Sequence, residues 1–390
     1  MGSTNRGTRQ FLGPRPHGAR PYQQPGPGTY SAIRRGSSGH QRRYTDVRIA
    51  QVAPLFVPVP PREYGGTERV VHTLTQELVA RGHDVTLFAS AGSQTSATLH
   101  SSSPAPLWQA GGDALVWHAI EVEELVKRSC EFDVIHSHLD ILPWLGGDRY
   151  EAPLVTTLHG RLDQPEWQRL LSEFKQWPLV SISNAQRKPV EDLGLNWMAT
   201  VYHGLDLEHI YSQGRGAGGY LAFVGRLTPE KGPAIAIQTA IRAGMKIVVA
   251  GPIPEQERAY FESEVEPLLR NPLVEWVGEL DDEGKNRVIG DAIGFLVPIQ
   301  WDEPFGLAFI EALATGTPLI SLARGSLPEL IENGRHGILV NEERELVDAC
   351  KKIDSLDRAE CRRWVIERFS PQHMAEGYES VYAHVTGEAA

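Results

Sequence analysis

Two glutamates, Glu303 and Glu311, bracket the segment EPFGLAFIE. Pro304 and Gly306 punctuate the chain, and Leu307, Phe309, Ile310 and Leu313 then recur as one apolar stripe of a short helix. Gly316 and Pro318 stop that helix before Leu319-Ile320-Ser321 resumes as strand. Glu303 is therefore expected on a loop ahead of a helix N-terminus, with Glu311 inside the helix. The first N–H groups of a helix lack an intrahelical partner and carry the positive end of its dipole. The amides near Phe305, Gly306 and Leu307 thus make an anion site. A carboxylate on either side of a phosphate-binding turn suits a ligand with hydroxyls at both ends and phosphate in the middle. A nucleotide sugar is such a ligand.

Two further segments add to this chemistry. FVGRLTPEKG places Arg226 at a strand end and Lys231 ahead of the next helix, while GSLPELIENG (325–334) is a glycine turn feeding another helix. A loop cation is ordinarily just solvated. Together the three segments put two cations and two helix N-termini at strand ends of one sheet, which suits a diphosphate. His136 and His138, in VIHSHLD, lie two apart on a strand and so on one face, a spacing that could serve a metal. No further ligand is evident nearby, and they read as loop histidines lining an inter-domain cleft. His203 reads as a hydrogen-bonding residue at the domain border. Trp144, Trp167 and Trp177 are candidates for an acceptor platform, with at least one expected in the core.

The elements that must position these residues alternate strand and helix. In the first part the strands are VRIAQVAPL, DVTLFAS, DVIHS (133–137), PLVTTLH (153–159), LVSIS (179–183) and ATVYH (199–203), with Thr67 as N-cap of a helix carrying Val71, Leu74 and Leu78. A polar glycine-rich linker, 211–219, precedes a second series: YLAFVGR, MKIVVAG, VEWVG, AIGFLVPI and TPLISL. Short apolar strands separated by helix-length segments mean parallel sheets covered on both faces. The fold class is α/β: two Rossmann-like doubly wound domains facing a central cleft. Gly214, Gly216 and Gly219 match G-x-G-x-x-G but precede a strand, whereas the dinucleotide fingerprint follows one, so they read as linker. The expected division is a basic leader at 1–46, a first Rossmann-like domain at 47–210, the linker at 211–219, a second Rossmann-like domain at 220–370, and a C-terminal helix at 371–390.

Composition narrows the classes. At 390 residues, 41% hydrophobic and 22% charged, the chain suits a globular protein of two domains. No apolar run approaches the ~18 residues of a membrane span. Cys130, Cys350 and Cys361 show neither a C-x-x-C pair nor zinc spacing and read as packing residues of a reducing cytoplasm. Residues 1–46 carry eight arginines and one acid, a balance of +7, and their Gly, Pro and Ser content predicts disorder. The other 344 residues hold 30 basic and 48 acidic side chains, a balance of −18. Neither nucleic acid nor stable membrane association is expected of so acidic a body.

GRLTPEKG, followed by EPFGLAFIEALATGTPLIS and GSLPELI, resembles glycosyltransferase family 4, of GT-B fold, and YGGTERVVHTLTQELVARGHDVTLFAS resembles the start of the same family. The resemblance runs from about Arg48 to about Phe369. It implies that Arg226 and Lys231 hold the donor diphosphate and that Glu303 meets the donor sugar. The amides of Phe305, Gly306 and Leu307 would meet sugar and phosphate, Glu311 would bind the ribose, and Gly65 and Gly66 would close over the diphosphate. His159, in TTLHG, matches a histidine near the reacting centre, and the final helices would cross back onto the first half. The implied activity is a retaining transfer from a nucleotide sugar to a sugar or small-molecule acceptor. No D-x-D occurs in the chain. Cations and helix dipoles must then meet the leaving charge, and no metal or other cofactor is expected. Alternatives of the same architecture are a nucleotide-sugar 2-epimerase and a catalytically silent nucleotide-sugar-binding protein.

Overall fold

The computed structural model describes residues 46–61, 65–207 and 212–387, so the basic leader, apart from Asp46, lies outside the described residues. Two wholly parallel sheets form. The first contains β1 (Arg48–Val52), β2 (Asp84–Ser90), β3 (Thr98–Ser103), β4 (Val134–Ser137), β5 (Leu154–Thr157), β6 (Leu179–Ser181) and β7 (Trp197–Thr200), in the order β3-β2-β1-β4-β5-β6-β7. The second contains β8 (Tyr220–Val224), β9 (Lys246–Ala250), β10 (Val274–Trp276), β11 (Gly294–Leu296), β12 (Leu319–Leu322) and β13 (Gly337–Val340), in the order β10-β9-β8-β11-β12-β13. Each sheet runs outward in both directions from its first strand, so each reverses order once, between β1 and β4 and between β8 and β11. Ligands of doubly wound sheets bind outside the carboxyl ends of the strands at that reversal.

The central strands are buried along almost their whole length because helices cover both faces. That burial is what made them legible as apolar runs. Two strands escaped prediction. β3 reads TLHSSS and is a half-exposed edge strand with no apolar run, and β13 is the four-residue GILV.

Five helices frame the cleft or tie the two halves together: α1 (Gly66–Ala80), α2 (Asp282–Asp291), α3 (Leu307–Ala314), α4 (Arg358–Arg368) and α5 (Pro371–Thr386). Thr67 is not the N-cap of α1. The helix begins two residues earlier than that cap would set it, at Gly66, with Gly65 at the cap and no side chain bonding there. Only one of the last two helices crosses back. α4 stays with the second half, burying Cys361 and Val365 in the cluster that holds Phe309 and Leu313. α5 lays Met374, Tyr378, Val381 and Tyr382 against Ile49, Val70, Leu74 and Val134 of the first half. Residues 212–219 are less free than a linker: the Gly214 amide donates to Thr315 O, and those of Gly216 and Gly218 donate to Gly290 O and Asp291 O. Cys350 and Cys361 are buried as expected, but Cys130 is exposed.

α5 is pinned to α1 by charge as well as packing. Arg81 grips Glu379 with two parallel bonds of 2.8 Å, and His83 Nε2 lies 2.9 Å from the same carboxylate. Burial alone would raise the Glu379 carboxyl; the bonds from Arg81 and His83 outweigh it and hold the group below its ordinary value. A depressed carboxylate stabilises above its unfolded value, ~4.3, and that contribution is lost as pH falls through the lower folded value. Glu379→Ala should therefore cost about 1–3 kcal/mol at pH 7, and much less near pH 3. Urea melts of both proteins at the two pH values check this; an equal loss at both would refute the ionic origin.

Candidate functional site

The loops at the two reversal points line one cavity of about 410 Å³. From the second half come Arg226 and Lys231 after β8, and Glu303, Phe305, Gly306, Leu307 and Glu311 after β11. From the first half come Gly65 and Gly66 at the start of α1 and His159 after β5. Every residue that the sequence nominated as catalytic or donor-binding thus lies in the wall of one cleft.

α3 begins at Leu307 with Gly306 as its cap, at φ 84°. That left-handed conformation suits glycine, and a Cβ there would come 2.3 Å from the Phe309 ring. The turn leaves the first amides of α3 at the cavity, while Glu311, one turn on, is buried but still lines it. Segment 325–334 does something other than expected. None of its residues lines the cavity. Instead the Ser326 amide donates to Glu303 O at 3.0 Å, and the Ser326 hydroxyl donates to Phe305 O at 2.7 Å. The helix there, Leu327–Leu330, is only four residues long, so its role is to brace the Glu303 loop.

Glu303 is buried and bonded to Lys231, and it also accepts a 3.1 Å bond from the Trp301 indole N–H. The Lys231 ammonium sits 5.4 Å from the Trp301 ring centre, and the Arg161 guanidinium 5.1 Å. Trp301, which stands just ahead of the motif, is therefore part of its electrostatics. Arg226 pairs with Glu230 at 3.2 Å. Two more cations line the cleft that the motifs did not mark: Arg69 of α1 and Lys285 of α2, both bonded to Asp282, at 2.9 and 2.8 Å. The Arg69–Asp282 pair spans the two halves. Only the helical position of Arg69, near the glycine pair, could have suggested it.

The histidines need correction. His136 and His138 are not loop residues facing the cleft: His136 lies within β4 with no exposure, and His138 is 2% exposed. His136 bonds Thr157 and Tyr382, and His138 bonds Gln51 and His159, so both are committed to an internal network. The pairing of β4 between β1 and β5 buries this strand end, and a two-residue spacing carries no such information. His203 lines the cleft, with no partner for its buried Nδ1 among the described residues, and stacks on His159 at 5.2 Å and 17°. Burial lowers the His159 pKa to about 3 and that of His203 well below its ordinary value, so both rings work as neutral imidazoles. Of the tryptophans, Trp144 is core, bonded to Thr156, and Trp167 and Trp177 pack against the same cluster.

Comparison with known proteins decides the class. Residues 64–209 match the family model for Glycosyltransferase Family 4, and residues 214–367 match that for Glycosyl transferases group 1. The chain belongs to the family 4 glycosyltransferases. Its similar proteins include a glycogen synthase of Mycobacterium tuberculosis, 28% identical over 72% of this chain and 79% of that protein. Another is a D-inositol 3-phosphate glycosyltransferase of Mycolicibacterium smegmatis, 25% identical over 86% and 87%. AviGT4, a glycosyltransferase of avilamycin A biosynthesis, superposes with a TM-score of 0.65 at 23% identity, covering 88% of this chain and 99% of that one. Anabaena Alr3699/HepE, solved with UDP-glucose, superposes at 0.67 and 17% identity over 87% and 100%. The fold of this glycosyltransferase is GT-B, and its chemistry is sugar transfer.

Its two glycine positions separate fold from ligand. Gly306→Ala should destabilise the glycosyltransferase by about 1–3 kcal/mol through a strained φ and the Phe309 clash. A Cβ on Gly66 would instead meet only Leu307 Cδ1, at an ordinary 3.6 Å. Gly66→Ala should leave the melting temperature unchanged while weakening nucleoside diphosphate binding. Thermal melts and calorimetric titration check both; a destabilised Gly66→Ala would show that the space serves packing.

Proposed function

We propose that this glycosyltransferase moves a hexosyl group from a nucleoside-diphosphate sugar to an acceptor hydroxyl, with retention of anomeric configuration and without a metal ion. The observation that supports it best is the cleft itself. Arg226, Lys231 and the amino end of α3 converge on one cavity with Glu303, Glu311 and the Gly65–Gly66 turn. In this reading the diphosphate lies along Arg226, Lys231 and the amides of Phe305, Gly306 and Leu307. Glu311 holds the ribose and Glu303 the sugar hydroxyls. The acceptor enters from residues 47–210, donor recognition resides in 220–370, and the reaction takes place in the cytoplasm, where unpaired thiols such as those of Cys130, Cys350 and Cys361 persist.

The leaving group gains negative charge as the glycosidic bond breaks. Fixed positive groups aimed at that charge need not reorganise during reaction, and a single such donor is commonly worth ~3–4 kcal/mol. Lys231 is already held in place by Glu303 and Trp301. Inversion would need a general base opposite the leaving group, and double displacement a carboxylate under the anomeric carbon. Glu303 is tied to Lys231 and Trp301. We assign front-face attack, in which the departing phosphate oxygen takes the acceptor proton and His159 shapes the reacting face.

UDP-glucose, the sugar nucleotide seen with Alr3699/HepE, is the first donor to test. Activity should survive excess EDTA, and NMR of fresh product should show the donor's anomer retained. Loss restored by magnesium or manganese, or an inverted linkage, would overturn the respective half of the mechanism. Glu311→Ala should weaken the free nucleoside diphosphate by about ten-fold, while Glu303→Ala should chiefly lower turnover. Equal affinity losses by calorimetry would remove that division of labour.

A further inference from the structure

Gln51 is a fully buried glutamine at the centre of the first sheet, and it faces its register partner His136 across the strand reversal. Buried polar groups are costly unless bonded, so a network here calls for an account that apolar packing would not. The bonds form one continuous chain. The Gln51 Nε2 amide donates to the Tyr382 hydroxyl at 2.9 Å and lies 3.3 Å from His136 Nδ1, which the Tyr382 hydroxyl meets at 2.8 Å. His136 Nε2 lies 2.7 Å from the Thr157 hydroxyl. On its other side Gln51 Oε1 meets His138 Nε2 at 2.9 Å, and His138 Nδ1 meets His159 Nε2 at 2.8 Å.

Proton positions follow from the donor inventory. An amide oxygen only accepts, so His138 carries its proton on Nε2. A neutral imidazole has one N–H, so His138 Nδ1 accepts, and His159 must donate from Nε2. The His159 ring, itself neutral, is then left with a bare lone pair on Nδ1, and that ring lines the cleft. Reversing the Gln51 amide would reverse every bond in turn and put a proton there instead. Two groups able to accept, the Tyr382 hydroxyl from the helix that crosses back and His136 Nδ1, lie on the nitrogen side of the amide and one partner lies on its oxygen side, so this orientation is the one that satisfies both amide hydrogens.

We infer that Gln51 and Tyr382 are positioning residues that set the tautomer of His159, so that the last helix helps define the hydrogen-bonding face of the cleft. His159 then presents an acceptor to a substrate hydroxyl, while the buried side of its ring is spoken for by His138. The consequence for turnover rests on the reaction proposed above; the tautomer does not.

The test is direct. In protein labelled with ¹⁵N-histidine, long-range proton–nitrogen correlation distinguishes Nε2–H from Nδ1–H, with the His159 signals identified by their loss in His159→Gln. The wild type should show His159 as Nε2–H; an Nδ1–H ring would overturn the inference. Tyr382→Phe, which removes a single oxygen, and Gln51→Leu should each give a mixture of tautomers. With a donor substrate, both should lower kcat on the order of ten-fold, with the donor KM within about two-fold, as for lost orientation of a retained group. Unchanged tautomer and unchanged kcat in a folded Tyr382→Phe would also overturn it. Because the spectra need no substrate, a silent transfer assay beside the expected tautomer would count against the reaction and leave the relay standing.

Discussion

A parallel sheet delivers every one of its strand ends to the same edge, and the rest of this molecule depends on that constraint. Right-handed crossovers force helices onto both faces, so strand order must reverse somewhere, and at the reversal two loops diverge and leave a crevice. Here the crevice of the first sheet opens after β1 and β4, and that of the second after β8 and β11. Facing the two edges together creates a single cleft whose walls are loops and helix starts, held by a rigid apolar frame. The lining of the cleft thereby falls to short segments: 225–231 and 301–311 on one side, and on the other 65–69 with His159 after the neighbouring strand β5.

Charge in the cleft has the same economy. Four cations line it, Arg69, Arg226, Lys231 and Lys285, and three carboxylates, Glu279, Glu303 and Glu311. The cations are paired internally, Lys231 with Glu303, Arg226 with Glu230, and Arg69 and Lys285 with Asp282. Such pairing keeps buried charges from being stranded, and it prepositions them. In the proposed reading, an arriving diphosphate exchanges partners within a wall that is already built. That local balance explains how a body of net charge −18 can offer a polyanion a site, since screened surface charge counts for less than groups a few ångströms away.

The strands legible in sequence carry short apolar runs, including the partly exposed edge strands β7 and β10; β3, TLHSSS, has no such run, whereas β13 was missed although GILV is one. The same logic governs the site. Glu303, Phe305, Gly306 and Glu311 were readable because turn, cap and helix chemistry constrain them locally. Arg226 and Lys231 were readable through their strand-end position. Trp301, Arg69 and Lys285 were not, because what makes them part of the cleft is a contact across a loop or between the halves, with no periodicity behind it. The histidines failed for a related reason. Spacing placed His136 and His138 on one face, correctly, but could not say which face the neighbouring strands and α5 would bury.

That burial ties the fold's last element to its first. α5 is anchored to α1 through Arg81 and Glu379, and it packs Tyr378 and Tyr382 against the strand ends that carry His136 and Thr157. A helix that crosses between halves has to end somewhere on the partner sheet. Ending over the reversal point gives it access to a place where buried side chains connect core and cleft. Apolar side chains there would seal the sheet equally well, but they transmit no directionality. Hydrogen bonds do, since each neutral imidazole that accepts on one nitrogen must donate from the other. The polar chain from Tyr382 to His159 is thus the form that an ordering influence takes when it must cross a packed interior without moving anything.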